Sequence, residues 1–224
     1  MKHYSVAIDG PSSAGKSTIA RAMAADMRFI YVDTGAMYRA VGLFVSRLGI
    51  DSTDAERVIT CLPEIDIDIS YIGEEQHIFL NGEDVNSLIR TESASIHASN
   101  VSAIPEVRAF LLDYQRSFAA SNNVIMDGRD IGTVVLPDAD VKIFLTASAE
   151  VRARRRYKEQ KERGEKVTYR EVLKAIRLRD NNDSTRASAP LRAADDAVVI
   201  DTSDCDLAGA CELVRRTIRE KIGL

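Results

Sequence analysis

Close to the N-terminus an apolar run, Tyr4-Ser5-Val6-Ala7-Ile8, ends at Asp9 and is followed by Gly10-Pro11-Ser12-Ser13-Ala14-Gly15-Lys16-Ser17-Thr18. The string fits G-x-x-x-x-G-K-[ST], with a buried-strand pattern before it and a helical pattern over Lys16 to Met27 after it. No other feature narrows the fold so far. A strand, a glycine-bounded loop and a helix start converge backbone N–H groups on one point, and the helix N-terminus adds partial positive charge there. Such a point holds phosphate. Lys16 is placed to neutralise β- and γ-phosphates, and a hydroxyl, most simply that of Ser17, to ligate Mg²⁺. The glycine spacing differs from G-x-G-x-x-G, which disfavours a dinucleotide-binding Rossmann site. A guanine-reading N-K-x-D is missing too, since Asn181-Asn182-Asp183 lacks the lysine.

The remaining pattern alternates short apolar runs with longer helical periods, which reads as α/β with a parallel sheet. Strands are expected at Tyr4–Ile8, Phe29–Val32, Val124–Met126, Val141–Leu145 and Ala197–Ile200. Helices are expected over Lys16–Met27, over Pro105–Ala119 with proline at its start, over Tyr169–Arg179 and over Leu207–Ile222. Thr168 with Glu171 forms a capping box, and Ser203 or Asp204 is a candidate cap for the last helix. One stretch breaks the rhythm. Ile65-Asp66-Ile67-Asp68-Ile69 alternates strictly, and Gln76-His77-Ile78-Phe79-Leu80 runs into an Asn81-Gly82 turn. Alternation means one wet face and one packed face, so residues 63–102 read as a small antiparallel insertion on the side of the core.

Composition removes several function classes. Hydrophobic residues make up 45% of the 224, enough to build a substantial core. The formal charge of −4 argues against a partner held mainly through nucleic-acid phosphates. Cys61, Cys205 and Cys211 are scattered, as are His3, His77 and His97, so neither a disulfide framework nor a zinc site is expected. No apolar stretch approaches the roughly 18 residues of a membrane helix, and Asp9 interrupts any signal-peptide core. A cytoplasmic protein without membrane or nucleic-acid partners is the expectation.

Three clusters sit where the ends of elements should reach the C-terminal edge of the sheet, the usual ligand crevice. They are Asp33-Thr34-Gly35-Ala36-Met37-Tyr38-Arg39, Asp127-Gly128-Arg129-Asp130-Ile131-Gly132-Thr133, and Arg179-Asp180-Asn181-Asn182-Asp183-Ser184-Thr185-Arg186. Each pairs arginine, whose planar fork can hold phosphate bidentately, with carboxylates or hydroxyls that can accept from a sugar or a base. Asp127 at a strand end either orients a metal's water shell or holds the Arg129 loop. Between Arg152 and Arg163 lie seven basic and two acidic residues, a local +5. A solvated helix with pairs such as Glu159–Arg163, a polyanion-binding surface and a phosphate-covering lid are all open readings, and the lid suits a P-loop kinase best. Arg152, Arg155 and Arg156 are its candidate phosphate contacts.

Taken together these strings resemble the bacterial cytidylate kinase family, within the nucleoside monophosphate kinases. Ile8-Asp9-Gly10-Pro11 with the rest of the loop, the Asp33–Arg39 string and Asp127–Val135 all match, as do Pro137-Asp138-Ala139 and Lys142–Leu145. Arg179-Asp180, Arg186 and Ala189-Pro190-Leu191 complete the match, and Leu80–Val85 is similar to that family's extended monophosphate-binding segment. The resemblance implies an α/β fold: a P-loop NTPase-type parallel core flanked by helices, with an inserted lobe containing a small antiparallel sheet and a short helical lid. It divides the chain into a core over 1–35, 103–151 and 169–224, an inserted monophosphate-binding domain over 36–102, and a lid over 152–168. It implies that ATP binds at residues 10–18 with Mg²⁺, and that ATP phosphorylates CMP or dCMP. Arg39 and Arg129 would hold the acceptor phosphate, with Lys16 and the lid arginines Arg152, Arg155 and Arg156 as the other catalytic groups. Thr34, Asp130 and Arg179 would face the pentose, and Ser99, Arg108, Asp183 and Arg186 the cytosine or its sugar. A monomer is expected. The rivals are a P-loop kinase for another nucleotide or a metabolite alcohol, and a nucleotide-dependent regulatory protein that hydrolyses ATP without an acceptor.

Overall fold

The computed structural model describes residues 3–73 and 75–223. Along the chain come β1 (Ser5–Asp9), α1 (Lys16–Met27), β2 (Ile30–Asp33), α2 (Thr34–Arg47) and α3 (Ala55–Cys61). Next are β3 (Ile67–Ile72), β4 (Glu75–Leu80), β5 (Glu83–Asp84), α4 (Glu92–Val101) and α5 (Pro105–Ser121). The chain then forms β6 (Val124–Gly128), β7 (Val141–Thr146), α6 (Ala149–Glu162), α7 (Tyr169–Thr185), β8 (Val198–Asp201) and α8 (Leu207–Ile222). Two compact units result, one of Met1–Ile30 with Asn122–Leu224 and the other of Tyr31–Ser121.

The larger sheet has five strands in the order β2-β6-β1-β7-β8; β1, β6, β7 and β8 belong to the first unit, with β1 parallel to β6 and β7, and β7 parallel to β8. A parallel ladder needs a crossover between partners, which explains why helices alternate with strands here. The inner strands are buried on both faces: Val6, Ala7 and Ile8 of β1 and Val124, Ile125 and Met126 of β6 have no exposed surface. The ends of β1 and β6 lie side by side, with Asp9 opposite Gly128 and Ile8 opposite Asp127. That register sets the start of the phosphate loop beside the Asp127–Asp130 string.

The second unit carries a three-stranded antiparallel sheet in the order β3-β4-β5, as the alternation at Ile65–Ile69 and Gln76–Leu80 implies. Its inward residues Ile67, Ile69, Ile78 and Leu80 are buried while Asp68 and Ser70 face water. The first strand lies two residues later than the alternation suggests, and the Asn81-Gly82 turn joins β4 to β5, the β3–β4 turn falling at Gly73. The unit spans 31–121, whereas the sequence places the inserted domain at 36–102; α5, with Val107 and Leu111 buried, falls in the same unit.

Several element ends also differ from the sequence reading. The strands at the two sheet edges and β1 each begin one residue later than expected, α5 reaches Ser121 and α7 reaches Thr185. The third arginine cluster occupies the last turns of α7, with Arg186 directly after it, at a helix end as the sequence implies. The Thr168–Glu171 capping box is present, but α8 is capped by Asp206, whose carboxylate accepts the Gly209 N–H, in place of Ser203 or Asp204. Three further helices, α2, α3 and α4, follow side-chain caps at Asp33, Asp54 and Thr91. Among the described residues no helix is long and apolar enough to cross a membrane.

Candidate active site

Two glycines make the phosphate loop possible. A Cβ on Gly10, at φ +148°, would sit 1.9 Å from the Leu145 carbonyl oxygen, so only glycine allows this close approach of loop and strand. Gly15, at φ +93°, turns the chain into α1. Among the described residues six helices begin under a side-chain cap, whereas α1 starts at Gly15 with no side-chain cap at all. Its first N–H groups are left to an anion, as a phosphate-binding helix requires. Ser12 Oγ is buried there without a hydrogen-bond partner, a second donor suited to phosphate oxygen.

Lys16 is the electrostatic centre. Its Nζ donates to the Pro11 carbonyl at 2.6 Å, and only 5% of the residue is exposed. Burial and then the positive charges of Arg129 and Arg179 push its ammonium well below the usual lysine range, with Asp127 and Asp9 pulling the other way. Three cations thus crowd one place, a configuration that polyphosphate relieves. Beside them Ser17 Oγ donates to Asp127 Oδ2 at 2.8 Å. A hydroxyl and a carboxylate oxygen are the hard donors Mg²⁺ takes, and among the described residues no group of three or more His, Cys, Asp or Glu forms a protein cage. The donor set fits an ion held mainly by substrate phosphates and water.

The second and third arginine clusters meet. Arg129 Nε donates to Asp183 Oδ2 at 2.9 Å and Arg186 Nη2 lies 3.7 Å from Asp130 Oδ1, so two ion pairs join the segment after β6 to the C-terminal end of α7. Burial raises the Asp183 carboxyl, but Arg129, Arg179 and Arg186 outweigh it and hold the group below the usual carboxylate range. The sequence gives Asp9 no role, yet it organises this loop. Its two oxygens accept the N–H groups of Ile131 (2.8 Å) and Gly132 (2.7 Å), the first turn of a π-helical segment over Ile131–Val135 directly after Arg129 and Asp130. The visible signal was an acid closing an otherwise apolar strand.

Burial raises the Asp9 carboxyl from 3.8 to about 6, Asp130 adding to the rise while the two backbone N–H groups and Lys16 oppose it. The folded chain binds this proton more readily than the unfolded chain does. Its contribution to stability is therefore full below 3.8 and lost as pH rises through about 6, roughly 3 kcal/mol in all. Urea unfolding followed across that window should show this slope in the wild type and a flatter one in Asp9→Asn; identical slopes would remove Asp9 as its source.

The basic helix α6 is less solvated than its composition suggests. Ala149, Ala153 and Tyr157 form an apolar stripe at i, i+4 and i+8 that packs on Val172 and Ile176 of α7. Arg152 is buried, donating to the carbonyls of Ala147 (2.8 Å) and Ser12 (3.2 Å) and bidentately to Asp180. Arg155 donates to Thr202 O at 2.7 Å and to Thr202 Oγ1 at 3.2 Å. Both guanidinium groups brace main chain, including the phosphate loop, where Arg152 reaches the Ser12 carbonyl and Arg155 that of Ala14 at 3.5 Å. Arg156 lies 3.5 Å from Glu159, and the i,i+4 pair on this helix is Lys158–Glu162, in place of the expected Glu159–Arg163.

The second unit holds the remaining candidates. Asp33 caps α2 through the Ala36 N–H (2.9 Å) and pairs with Arg39 Nη2 (2.9 Å), while the buried Nε of Arg39 has no hydrogen-bond partner. Thr34, the first residue of α2, is buried. Arg108 stacks over the Tyr38 ring at 5.6 Å and donates to the Ser102 carbonyl, and Ser102 Oγ donates to the Ser99 carbonyl. These contacts join Ser99 and Arg108 around the α4–α5 turn, with Tyr38 and Asp33 as members that motif reading passes over.

A parallel sheet with an uncapped helix behind a glycine-bounded loop, a buried lysine and a Ser–Asp oxygen pair defines a P-loop phosphotransferase of the kinase type. The sequence matches the Cytidylate kinase family profile over residues 6–220. The chain belongs to the cytidylate kinase family. It is 48% identical over 223 residues to the cytidylate kinase of Caldicellulosiruptor saccharolyticus, covering 100% of this chain and 99% of that one. It is 49% identical over 215 residues to that of Caldanaerobacter subterraneus, covering 96% and 94%. Among solved structures, shikimate kinase from Bacteroides thetaiotaomicron superposes with a TM-score of 0.51 at 13% identity, covering 99% of both chains, a likeness of fold alone.

Proposed function

We propose that this chain transfers the γ-phosphoryl group of ATP to CMP, and to dCMP, in the cytoplasm. The observation that carries the reading is the crowding of Lys16, Arg129 and Arg179 beside the Ser17–Asp127 pair, in a chain of the cytidylate kinase family. Residues 10–18 hold the ATP phosphates. Ser17, with Asp127 behind it through water, would hold Mg²⁺, which would supply positive charge against the donor phosphates.

The nucleophile is an oxygen of the CMP phosphate, already anionic, so no side chain need remove a proton. It forms a bond to the γ-phosphorus as the bond from that phosphorus to the β-bridging oxygen breaks, giving CDP and ADP. The protein's task is alignment and positive charge while charge spreads over the moving group. We assign Lys16 to the donor phosphates, and Arg129 and Arg39 to the acceptor phosphate. Thr34, Asp130 and Arg179 take the pentose, and Ser99, Arg108, Asp183 and Arg186 the base or its sugar. Among the lid arginines, Arg156 is assigned to the transferred group, while Arg152 and Arg155 hold the loops that receive it. The inserted unit serves as the monophosphate-binding domain, and the segment 152–168 as the lid.

Initial rates with ATP and Mg²⁺ across CMP, dCMP, UMP, AMP and GMP test the reading. CMP and dCMP should exceed AMP and GMP by at least about 100-fold in kcat/KM, the margin expected when buried polar groups are left unpaired by the wrong base. Comparable use of AMP, or ATP consumption indifferent to every acceptor, would overturn it.

A further inference from the structure

The antiparallel sheet of the second unit presents one unusual pair. Tyr71 on β3 and Gln76 on β4 are directly opposed across the ladder, and both end in polar groups that point away from it onto the main chain of residues 31–33. Tyr71 Oη donates to the Tyr31 carbonyl at 2.8 Å. Gln76 Oε1 accepts the Asp33 N–H at 2.8 Å, and Gln76 Nε2 donates to the Asp33 carbonyl at 3.4 Å. In an extended strand the N–H and C=O groups of residues i and i+2 point to the same side. The two side chains therefore stand where another strand would pair with that edge of β2.

What they hold is the residue that aims Arg39. The Asp33 carboxylate divides between the Ala36 N–H, starting α2, and Arg39 Nη2, each at 2.9 Å. The fit is tight, since a Cβ on Gly35 would lie 3.1 Å from Arg39 Nη1 and 3.2 Å from Asp33 Oδ1. Gln76 is itself anchored: it is 8% exposed, and its own carbonyl accepts from Asn86 Nδ2 at 3.1 Å. Neither a sheet strut nor a helix cap alone demands a buried carboxamide whose oxygen and nitrogen both bond one residue's backbone.

We propose that Gln76 and Tyr71 are positioning residues for the acceptor phosphate, fixing Asp33 and through it the Arg39 guanidinium. The antiparallel insertion is then a brace for the acceptor arginine. This inference rests on the assignment of Arg39 to the acceptor phosphate.

Kinetics of Gln76→Leu and Tyr71→Phe, varying CMP at saturating ATP and the reverse, test it. Gln76→Leu removes two buried hydrogen bonds and is expected to lower kcat/KM for CMP roughly tenfold, Tyr71→Phe about threefold. The KM for ATP should stay within about twofold in both. In an Arg39→Ala background Gln76→Leu should add almost nothing, because the brace then has nothing to aim. Equal losses for both substrates, additive losses with Arg39→Ala, or wild-type CMP kinetics would overturn the brace. Tyr71→Phe deletes one hydroxyl and keeps the ring, so it decides the question should Gln76→Leu not fold. If Arg39→Ala alone leaves CMP kinetics intact, the assignment of Arg39 fails and the brace with it. Impairment in Arg39→Ala beside normal kinetics in Gln76→Leu and Tyr71→Phe sinks the brace alone.

Discussion

Replacing Lys16 with methionine should lower kcat on the order of 10³-fold while raising the melting temperature. The two effects have one cause. In the folded chain the ammonium is buried and repelled by Arg129 and Arg179, with Asp127 and Asp9 compensating only in part. Methionine keeps the packing volume of the stem and removes the charge, forfeiting one hydrogen bond to the Pro11 carbonyl. A net gain of about 1–2 kcal/mol is the scale for relieving a desolvated, repelled cation of this kind, which in a chain of this size is about 2–8 °C. With Lys16 assigned to the donor phosphates as proposed, the same charge would stabilise the phosphoryl group in flight, and one preorganised charge lost at such a centre costs about 4 kcal/mol in the barrier. Thermal unfolding with and without ATP separates the arms: the variant should melt higher alone and gain less from the nucleotide. A variant that melts lower alone would contradict the crowding of charge around Lys16.

Arg129→Ala should also lose on the order of 10²-fold or more in kcat/KM for CMP, but at a cost in stability that the sequence does not foretell. From the sequence alone Arg129 is a loop arginine whose removal leaves the fold intact. In the structure its Nε holds Asp183, whose side chain is only 5% exposed. Deleting one member of a buried ion pair leaves the other charge uncompensated, at about 3–5 kcal/mol where no other partner remains. Here Arg179 and Arg186 remain beside Asp183, so a loss of about 2 kcal/mol is expected. Arg129→Lys separates the roles. It keeps a charge near Asp183, and so most of the stability, but loses the planar fork and with it most of the catalytic effect. Chemical denaturation beside CMP kinetics reads both; wild-type turnover in Arg129→Lys would show that charge alone suffices.

Much of the first unit was legible because its signals are local. The loop from Gly10 to Ser17 declares itself through glycines whose backbone demands no other residue meets, as the Leu145 carbonyl beside Gly10 makes plain. The ends of α1 and α8 followed from periodicity and flanking turns. The alternation at Ile67 and Ile69 announced the antiparallel sheet, although the position of its first hairpin did not follow, since Asn81-Gly82 is the stronger turn string but closes the second. Other partnerships come from tertiary contact alone. Arg152 and Arg155 look like free lid arginines in a basic run, yet carbonyls of other segments satisfy their guanidinium groups.

The sequence by itself determined the chemistry available: a phosphate-binding loop, a Mg²⁺-competent hydroxyl, and arginines beside carboxylates in three strings. Residue type and short spacing suffice for that, because those properties belong to a few adjacent residues. Only the tertiary structure decided which groups act together. Asp9 and Gly132 are 123 residues apart, Arg129 and Asp183 54, and Asp33 and Gln76 43. A hydrogen bond of about 2.8 Å carries no trace of such separations in local pattern, and the burial that shifts Lys16 and Asp9 exists only once the chain has folded around them.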